Sequence, residues 1–595
     1  MSARRGQHSN PISPKASIAS LVDILDRSKN RFTPEDRAAK ATALLALADR
    51  TIRDPAILLR FHEALCFLRA YPDDAEILQP VEAALEAFGP RVLALRTTGS
   101  PGALETLEET GIAQTTIFCP LSYPAAGWLA TRFPAGAEID WDDPEAEERL
   151  GAILPFLVGL ADEEALVEMG GSYRAWLVAA KDDDPRSDLE WLLDRLERAP
   201  LEAVARRALY DGLQLRTRWE LRETEASRTL AKVPVSRFFF HRGPLLRYRG
   251  PLTRRLPGPR VIVRLAAPRE AEGFLDAARA AVLVRYREIH GFNFADPRDV
   301  MVADLGRGVQ VVWCGLRPEH RLPLRAHYGY LILKNGVPTG YGDASLLFDW
   351  GDIAFNIFET FRPGESAFVF VRLLAFLHQH FHIRTFHLDR YQIGYDNDEA
   401  IASGAFWFYY KLEFRPKRSD LVGLAADERR RIARDSTYRS SRETLEQLCR
   451  DGMVVSVGRQ SDAATHTFDV QRLARRAVAE AARNAKGDVV AAAARSLGMR
   501  RWRAWPRAER RAFERLAPIL ALISDLADWS RGERHALVEI VRAKAGSREA
   551  DYLRRLRGHR RLRERLLRLG APDRRDRRLR AKRTPVLIGL GGLQR

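Results

Sequence analysis

The stretch ETFRPGESAFVFVRLLAFL, residues 359–377, concentrates residue types that handle anions. A short extended run ends at Arg362-Pro363-Gly364, and an apolar run with helical character comes next. A helix that begins near Gly364 leaves its first backbone N–H groups without partners. Those donors and the helix dipole favour an anion such as a pyrophosphate. Gly364 lets the backbone approach closely. Ser366 and Ala367 keep the approach open, and Arg362 can add a charge-assisted hydrogen bond. Glu365 lies in the middle of this set. A carboxylate suits the first turn of a helix, but its charge is expected to repel a bound phosphate.

The elements that must position this loop fall in residues 260–416. RVIVRLA reads as a strand by alternation and β-branching, and PREAEGFLDAARAAVLVRYREIHG as a helix. GVQVVWCGL is a strand. AHYGYLILKNGVPTGYGDASLLF holds two strands joined by Asn335-Gly336, a strong hairpin-turn signal. DIAFNIFETF is the strand that leads into the loop, IRTFHLD is a further strand, and DEAIASGAFWFYYKL is a helix.

This order resembles the GNAT acyltransferase superfamily over about 155 residues, a quarter of the chain. KNGVPTGYGD is similar to that family's second and third strands. IAFNIFETFRPGESAFVFVRLLAFL is similar to its fourth strand, pyrophosphate loop and third helix. NDEAIASGAFWFYYKLEF is similar to its terminal motif, with Asn397, Ala400 and Phe414 at matching positions and Glu413 where a glycine is usual. The resemblance implies acetyl-coenzyme A or another acyl-coenzyme A as co-substrate. It implies Phe358, Arg362, Gly364, Ser366, Ala367 and Asn397 as cofactor-binding residues, with Glu365 at the loop's central glycine position. It implies Tyr409 as the proton donor to the leaving thiolate. A base must take a proton from the acceptor amine. Glu359 is the first candidate for it, and Asp343 and Asp352 come next.

The rest of the chain frames this segment. The expected architecture is α+β and multidomain, with a GNAT-like domain at 260–420 between two mainly helical regions at 18–232 and 421–550. Residues 1–17 read as a disordered tail, 233–259 as an Arg/Pro/aromatic linker that packs against the GNAT-like domain, and 551–595 as an Arg-rich helical tail. In the N-terminal region SDLEWLLDRLERAP carries a Ser cap and stops before Pro200. The net charge of +18 is uneven: residues 551–595 hold 16 Lys/Arg against 4 Asp/Glu, which leaves +6 for the other 550 residues. That tail makes nucleic acid or an acidic protein a candidate partner through phosphate-type contacts. GDVVAAAARSLGMRRWRAW, residues 487–505, has the texture of a helix-turn-helix module but reads first as a helical hairpin. His378 and His382 in HQHFH are four apart, yet a zinc site needs further ligands, and no metal is expected. Four widely spaced cysteines and no long apolar run point to a cytoplasmic protein without membrane attachment. The functional expectation is acyl transfer from an acyl-coenzyme A to an amine. The alternative is a binding or scaffold protein with a degenerate GNAT-like fold, whose basic C-terminal region makes the contacts.

Overall fold

A computed structural model describes residues 16–98, 105–159, 163–164, 167–168, 170–222, 224–248, 251–458, 468–483 and 488–571. The expected N-terminal tail, all but its last residues, and the end of the Arg-rich tail lie outside the described residues. The chain is a mixed α+β protein built on one large sheet. In chain order the strands are β1 Thr115–Pro120, β2 Ala137–Ile139, β3 Arg216–Leu221, β4 Ile262–Leu265, β5 Ala295–Gly306, β6 Val309–Leu316 and β7 Ala326–Lys334. They continue with β8 Val337–Leu347, β9 Trp350–Ile353, β10 Asn356–Ile357, β11 Thr385–Leu388, β12 Arg415–Pro416 and β13 Met453–Ser456. The large sheet has the order β4-β5-β6-β7-β8-β9-β11-β13-β12, with β10 also on β8.

From β4 to β9 every neighbour is antiparallel, and the hairpins are short. Asn335 and Gly336 join β7 to β8 with φ of +49° and +80°, the left-handed pair that a two-residue hairpin turn needs. The Asn335 side chain does further work. Its Oδ1 accepts from Phe239 N at 2.8 Å, and its Nδ2 donates to Ala70 O at 3.0 Å, so the turn is pinned to the linker and to the N-terminal helices. β9 and β11 are parallel, in register at Trp350↔Thr385 through Asp352↔His387. A parallel neighbour needs a crossover, and the helix Ser366–Phe381 supplies it.

That helix is apolar nearly all round because it is buried on nearly all sides. Phe368, Phe370, Leu373, Leu374, Phe376 and Leu377 are covered by one face of the sheet (Val311, Trp313, Tyr330, Leu346) and by the C-terminal helices. Each such side chain contributes roughly 1.5–3 kcal/mol on burial. The opposite face (Val300, Val302, Val312, Cys314, Leu331) is covered by the helix Pro268–Leu283 and by the N-terminal helices, Pro55–Ala70 among them. Buried Arg321 ties the C-terminal helices to the sheet by donating to Lys544 O at 2.8 Å and Gly546 O at 2.6 Å.

Four features depart from the expected layout. β5 is a long strand between the expected helix and GVQVVWCGL, where no strand is expected, and it pairs with β6. The region 18–232 is not purely helical: β1, β2 and β3 form their own antiparallel sheet in the order β1-β3-β2. The run TTIFCP, with its β-branched residues and its closing proline, is a strand by the same logic that found β6. β13 lies beyond 420, so the large sheet is completed by a segment from the region expected to be helical. The linker is packed, as expected, but it pairs as well: Val233 N donates to Gly336 O at 2.8 Å, and His241 N to Pro72 O at 2.9 Å. The Ser187 cap is present, with Glu190 completing a capping box on Asp188–Arg198. Residues 489–520 form a helical hairpin, Val489–Leu497 and Arg507–Leu520, whose linking segment packs Trp502 on Phe513 at 5.2 Å.

The short helix His290–Asn293 lies directly on β7, because Gly291 and Gly329 face each other without side chains. A Cβ on Gly291 would sit 2.5 Å from Gly329 Cα. Gly291→Ala must therefore lift this turn, and urea unfolding is expected to show a loss of about 1–3 kcal/mol. An unchanged midpoint would contradict the close approach.

Candidate functional site

The site is built around the strand that changes partners. β9 and β10 follow β8 in a single register: Ala344 pairs with Ile353, Tyr341 with Asn356 and Gly340 with Ile357. Ala354 N donates to Asp343 O at 2.9 Å and Phe358 N to Thr339 O at 3.0 Å. By the alternation of an antiparallel ladder, the backbone groups of Phe355 and Ile357 point the other way. β11 follows on that side only as far as Asp352, so a gap opens beside residues 354–358. The side chain of Gln392 enters it. Its Oε1 accepts from Phe355 N at 3.3 Å, and its Nε2 donates to Phe355 O at 2.8 Å and to the Tyr409 hydroxyl at 2.9 Å.

Tyr409 is 2 % exposed and lies under Gln392 against Phe370 and Phe414. Its hydroxyl also donates to Phe355 O at 3.4 Å, and burial raises its pKa well above the usual phenol range. Asn397 caps the helix Asp398–Ser403 through Ala400 N at 3.0 Å, and donates to Tyr391 O at 3.1 Å. Phe358 is buried beside Tyr341 and carries the Arg285 guanidinium 3.8 Å above its ring centre.

Beyond Phe358 the chain makes a short 3-10 turn, Glu359–Phe361, and then the loop. Glu359 is exposed on that turn. It lies five residues past Ala354, which is roughly 17 Å along an extended chain from the residue opposite Asp343. Arg362 is ion-paired with Glu399, and Glu399 also takes Arg287 at 2.8 Å. Gly364 faces Tyr71: a Cβ there would be 2.6 Å from the Tyr71 hydroxyl oxygen. Ser366 and Ala367 open the helix and are half-buried, and no side chain caps their N–H groups.

The repulsion expected of Glu365 is cancelled by where its side chain goes. The carboxylate is buried and turned away from the helix entrance. It takes Arg307 Nη2 at 2.7 Å and Leu246 N at 2.8 Å, with Lys334 Nζ at 3.8 Å. Lys334 is itself buried between the rings of Tyr71 and Phe239, each 4.8 Å away. Burial pulls its ammonium down to about 7, against the attraction of Glu365. Two cations against one carboxylate leave the cluster with no excess negative charge to oppose an anion at the helix entrance.

A second group gathers on the sheet face that carries His290. Asp343 and Asp352 are diagonal neighbours on adjacent strands. Burial, with the charge of Asp352 behind it, pushes the Asp343 carboxyl up to about 6. For Asp352 burial acts in the same direction but is outweighed by His387 at 3.4 Å and Arg325 at 2.9 Å, which hold it below the usual carboxylate range while its side chain stays 44 % exposed. His327 bonds Ser345 Oγ at 2.9 Å and lies 6.0 Å, centre to centre, from the His290 ring. Of the three candidate bases, the structure brings Asp343 and Asp352 together and leaves Glu359 on the surface turn. The sequence carried no signal for Gln392, Lys334, Arg307, His290 or His327. Each acts through a partner more than ten residues away.

The Arg-rich end is largely occupied with packing where it is described. Arg561 and Arg565 bond Asp525, Arg563 pairs with Asp349, and Arg557 donates to Phe381 O at 3.1 Å. Among the described residues no group of three or more His, Cys, Asp or Glu is placed to hold a metal ion, and no helix is long and apolar enough to cross a membrane. Comparison with protein-family models, with curated proteins and with solved structures found no match to this chain.

The raised Asp343 pKa has a signed consequence. Between the ordinary carboxyl value of 3.8 and about 6 the folded state binds more protons than the unfolded one. Stability from this group therefore falls as pH rises from about 4 to about 6, by on the order of 3 kcal/mol, and is level above that. Asp343→Asn is expected to remove this slope from unfolding curves measured across the window. A variant with the native slope would contradict the assignment.

Proposed function

We propose that this protein transfers an acyl group from an acyl-coenzyme A to an amine, with a GNAT-like arrangement in residues 260–457 as the catalytic unit. The observation that carries the reading is the juxtaposition at residues 354–368. An edge strand turns a backbone N–H and C=O, those of Ile357, into the gap left by a diverging parallel neighbour. That strand leads, through the turn Glu359–Phe361 and the short loop that carries Arg362, into an uncapped helix N-terminus whose acidic residue is neutralised. The order of strand, helix, antiparallel meander, crossover helix and parallel strand supports the same family resemblance.

In this reading the N–H groups of Ser366 and Ala367, with Arg362, hold the pyrophosphate. Phe358 and the Ile357 backbone line the path toward the gap, and Asn397 fixes the turn on its far side. Asp343 takes the base role ahead of Glu359. A carboxylate with a pKa near 6 is ionised at neutral pH and still accepts a proton well. The amine nitrogen attacks the thioester carbonyl, its proton passes to Asp343, the carbon–sulfur bond breaks and the thiolate leaves. Tyr409 is placed at the floor of the gap, but its proton is engaged with Phe355 O, so donation to the thiolate requires that bond to open. The four cysteines are all free thiols, which fits a reducing, cytoplasmic setting.

A second reading, a binding protein on a degenerate GNAT-like fold, is favoured by one observation: Gln392 already occupies the Phe355 edge. Calorimetric titration of acetyl-coenzyme A into the full chain separates the two. The acyltransferase reading predicts micromolar binding that weakens at least about tenfold in Arg362→Ala, the loss of one charge-assisted contact. In turnover assays with an amine acceptor, Asp343→Asn is expected to lower kcat by about 10²–10⁴-fold. No heat at millimolar ligand with folded protein would favour the binding protein, with partner contacts sought in the basic C-terminal region.

A further inference from the structure

In the Arg-rich end Arg561, Arg563 and Arg565 are held by carboxylates, but the helical hairpin that precedes it is different. Residues 488–515 contain eight arginines, no lysine and three acids. All three acids are engaged. Asp488 caps the helix Val489–Leu497 through Val490 N at 2.9 Å and Ala491 N at 3.0 Å, and it pairs with Arg503 at 3.2 Å. Glu509 receives Arg542 from the helix Arg531–Ala543 at 2.8 Å. Glu514 faces Arg510 at 3.8 Å. Arg510 also donates to Arg503 O at 3.2 Å, and Arg515 donates to Glu319 O at 2.7 Å.

Five arginines remain: Arg495, Arg500, Arg501, Arg507 and Arg511. All five are exposed, and none makes an ion pair or a side-chain hydrogen bond among the described residues. The packing of the hairpin keeps them outward. Trp502 meets Phe513 at 5.2 Å and Trp505 meets the same ring at 6.2 Å, so the linking segment is clamped by its aromatic side. Gly498, with φ of +73°, ends the first helix and turns the chain. Arg500 and Arg501 are left on the solvent side, between the last turn of the first helix, which carries Arg495, and the start of Arg507–Leu520. Arg507 and Arg511 lie one turn apart there, where cations oppose the helix dipole. Helix stability therefore does not account for them.

Like charges gathered in this way repel one another, and a polyanion relieves the repulsion. The guanidinium fork matches phosphate oxygens two at a time, which a set of arginines without lysine exploits fully. The tryptophans are not free to stack on bases: Trp502 is buried on Phe513, and Trp505 carries the Arg542 guanidinium 5.6 Å above its ring. Phosphate contacts without a stacking platform suit a duplex better than a single strand. We propose that this hairpin binds the phosphate backbone of duplex nucleic acid through Arg495, Arg500, Arg501, Arg507 and Arg511, without reading its sequence. The proposal stands whether or not the chain is an acyltransferase.

The test is fluorescence anisotropy of a short labelled DNA duplex titrated with the full chain between about 50 and 200 mM salt. The full chain is expected to bind with a steep salt dependence. The quadruple variant Arg500→Gln, Arg501→Gln, Arg507→Gln, Arg511→Gln is expected to keep the native Tm, since all four side chains are exposed and unpaired. Its affinity should fall at least about tenfold at the lowest salt, and the slope of log affinity against log salt should shrink by roughly 3–4. A second readout uses the unaltered protein: phenylglyoxal modification followed by mass spectrometry, with the duplex expected to shield these five arginines. A quadruple variant with the native slope, or shielding confined to arginines beyond residue 551, would overturn the proposal by placing the contact in the Arg-rich end. Failure of the full chain to bind the duplex at the lowest salt, or tighter binding of polyglutamate or of a single strand, would overturn it as well.

Discussion

One buried carboxylate holds the centre of this molecule. Glu365 draws together Arg307 from the turn between β5 and β6, Lys334 from the end of β7, Leu246 from the linker and, through its own N–H, the Tyr71 hydroxyl at 3.4 Å. A charge at this depth is tolerable only because its partners are in place. Those partners come from three stretches that the sequence keeps well apart. The start of the helix Ser366–Phe381 is thereby fixed relative to the N-terminal helices and to the sheet. The same residue that looks hostile to a phosphate in the sequence is what clears the helix entrance, because its carboxylate is needed on the other side.

The second constraint is topological. A sheet that is antiparallel from β4 to β9 acquires a parallel neighbour at β11, and a crossover helix has to connect them. The two strands stay together for three residues and then part. The divergence leaves backbone donors and acceptors at an interior edge, where an extended ligand can pair as a strand would. Gln392 makes such a pairing with Phe355 from within the chain. Asp343 and Asp352 stand near the point where the strands separate, in an environment that splits their pKa values in opposite directions. That split is the usual signature of one group suited to accept a proton and another held as a fixed charge.

Local signals in the sequence were enough for most elements of residues 260–416, but not for β5, nor for the break at Gly404 that divides DEAIASGAFWFYYKL into two short helices. Asn335-Gly336 fixes a hairpin by backbone conformation, and the alternation in β6 and β7 fixes which face each residue takes. The same rules should have found β1 in TTIFCP, but a helical background of Ala, Leu and Arg on either side outweighed six residues. β13 was out of reach because its pairing partner β11 is about seventy residues earlier. The site was legible only in part. The uncapped helix start at Ser366 follows from the sequence, as does the pairing of Asp343 and Asp352 with neighbouring strands. The direction of the Glu365 side chain does not follow, nor does the packing of Arg561 and Arg565 on Asp525, since both depend on which distant residues the fold delivers.

In the proposed acyltransferase, the gap beside residues 354–358 and the helix entrance at Ser366 form one continuous binding surface. Hydrogen exchange of the full chain, with and without acetyl-coenzyme A, tests it most directly. Added protection is expected at Ile357 and at Ser366 through Phe368, with the buried Glu365 cluster unchanged. Protection elsewhere with none at these amides, or no ligand-dependent change at saturating acetyl-coenzyme A, would contradict it.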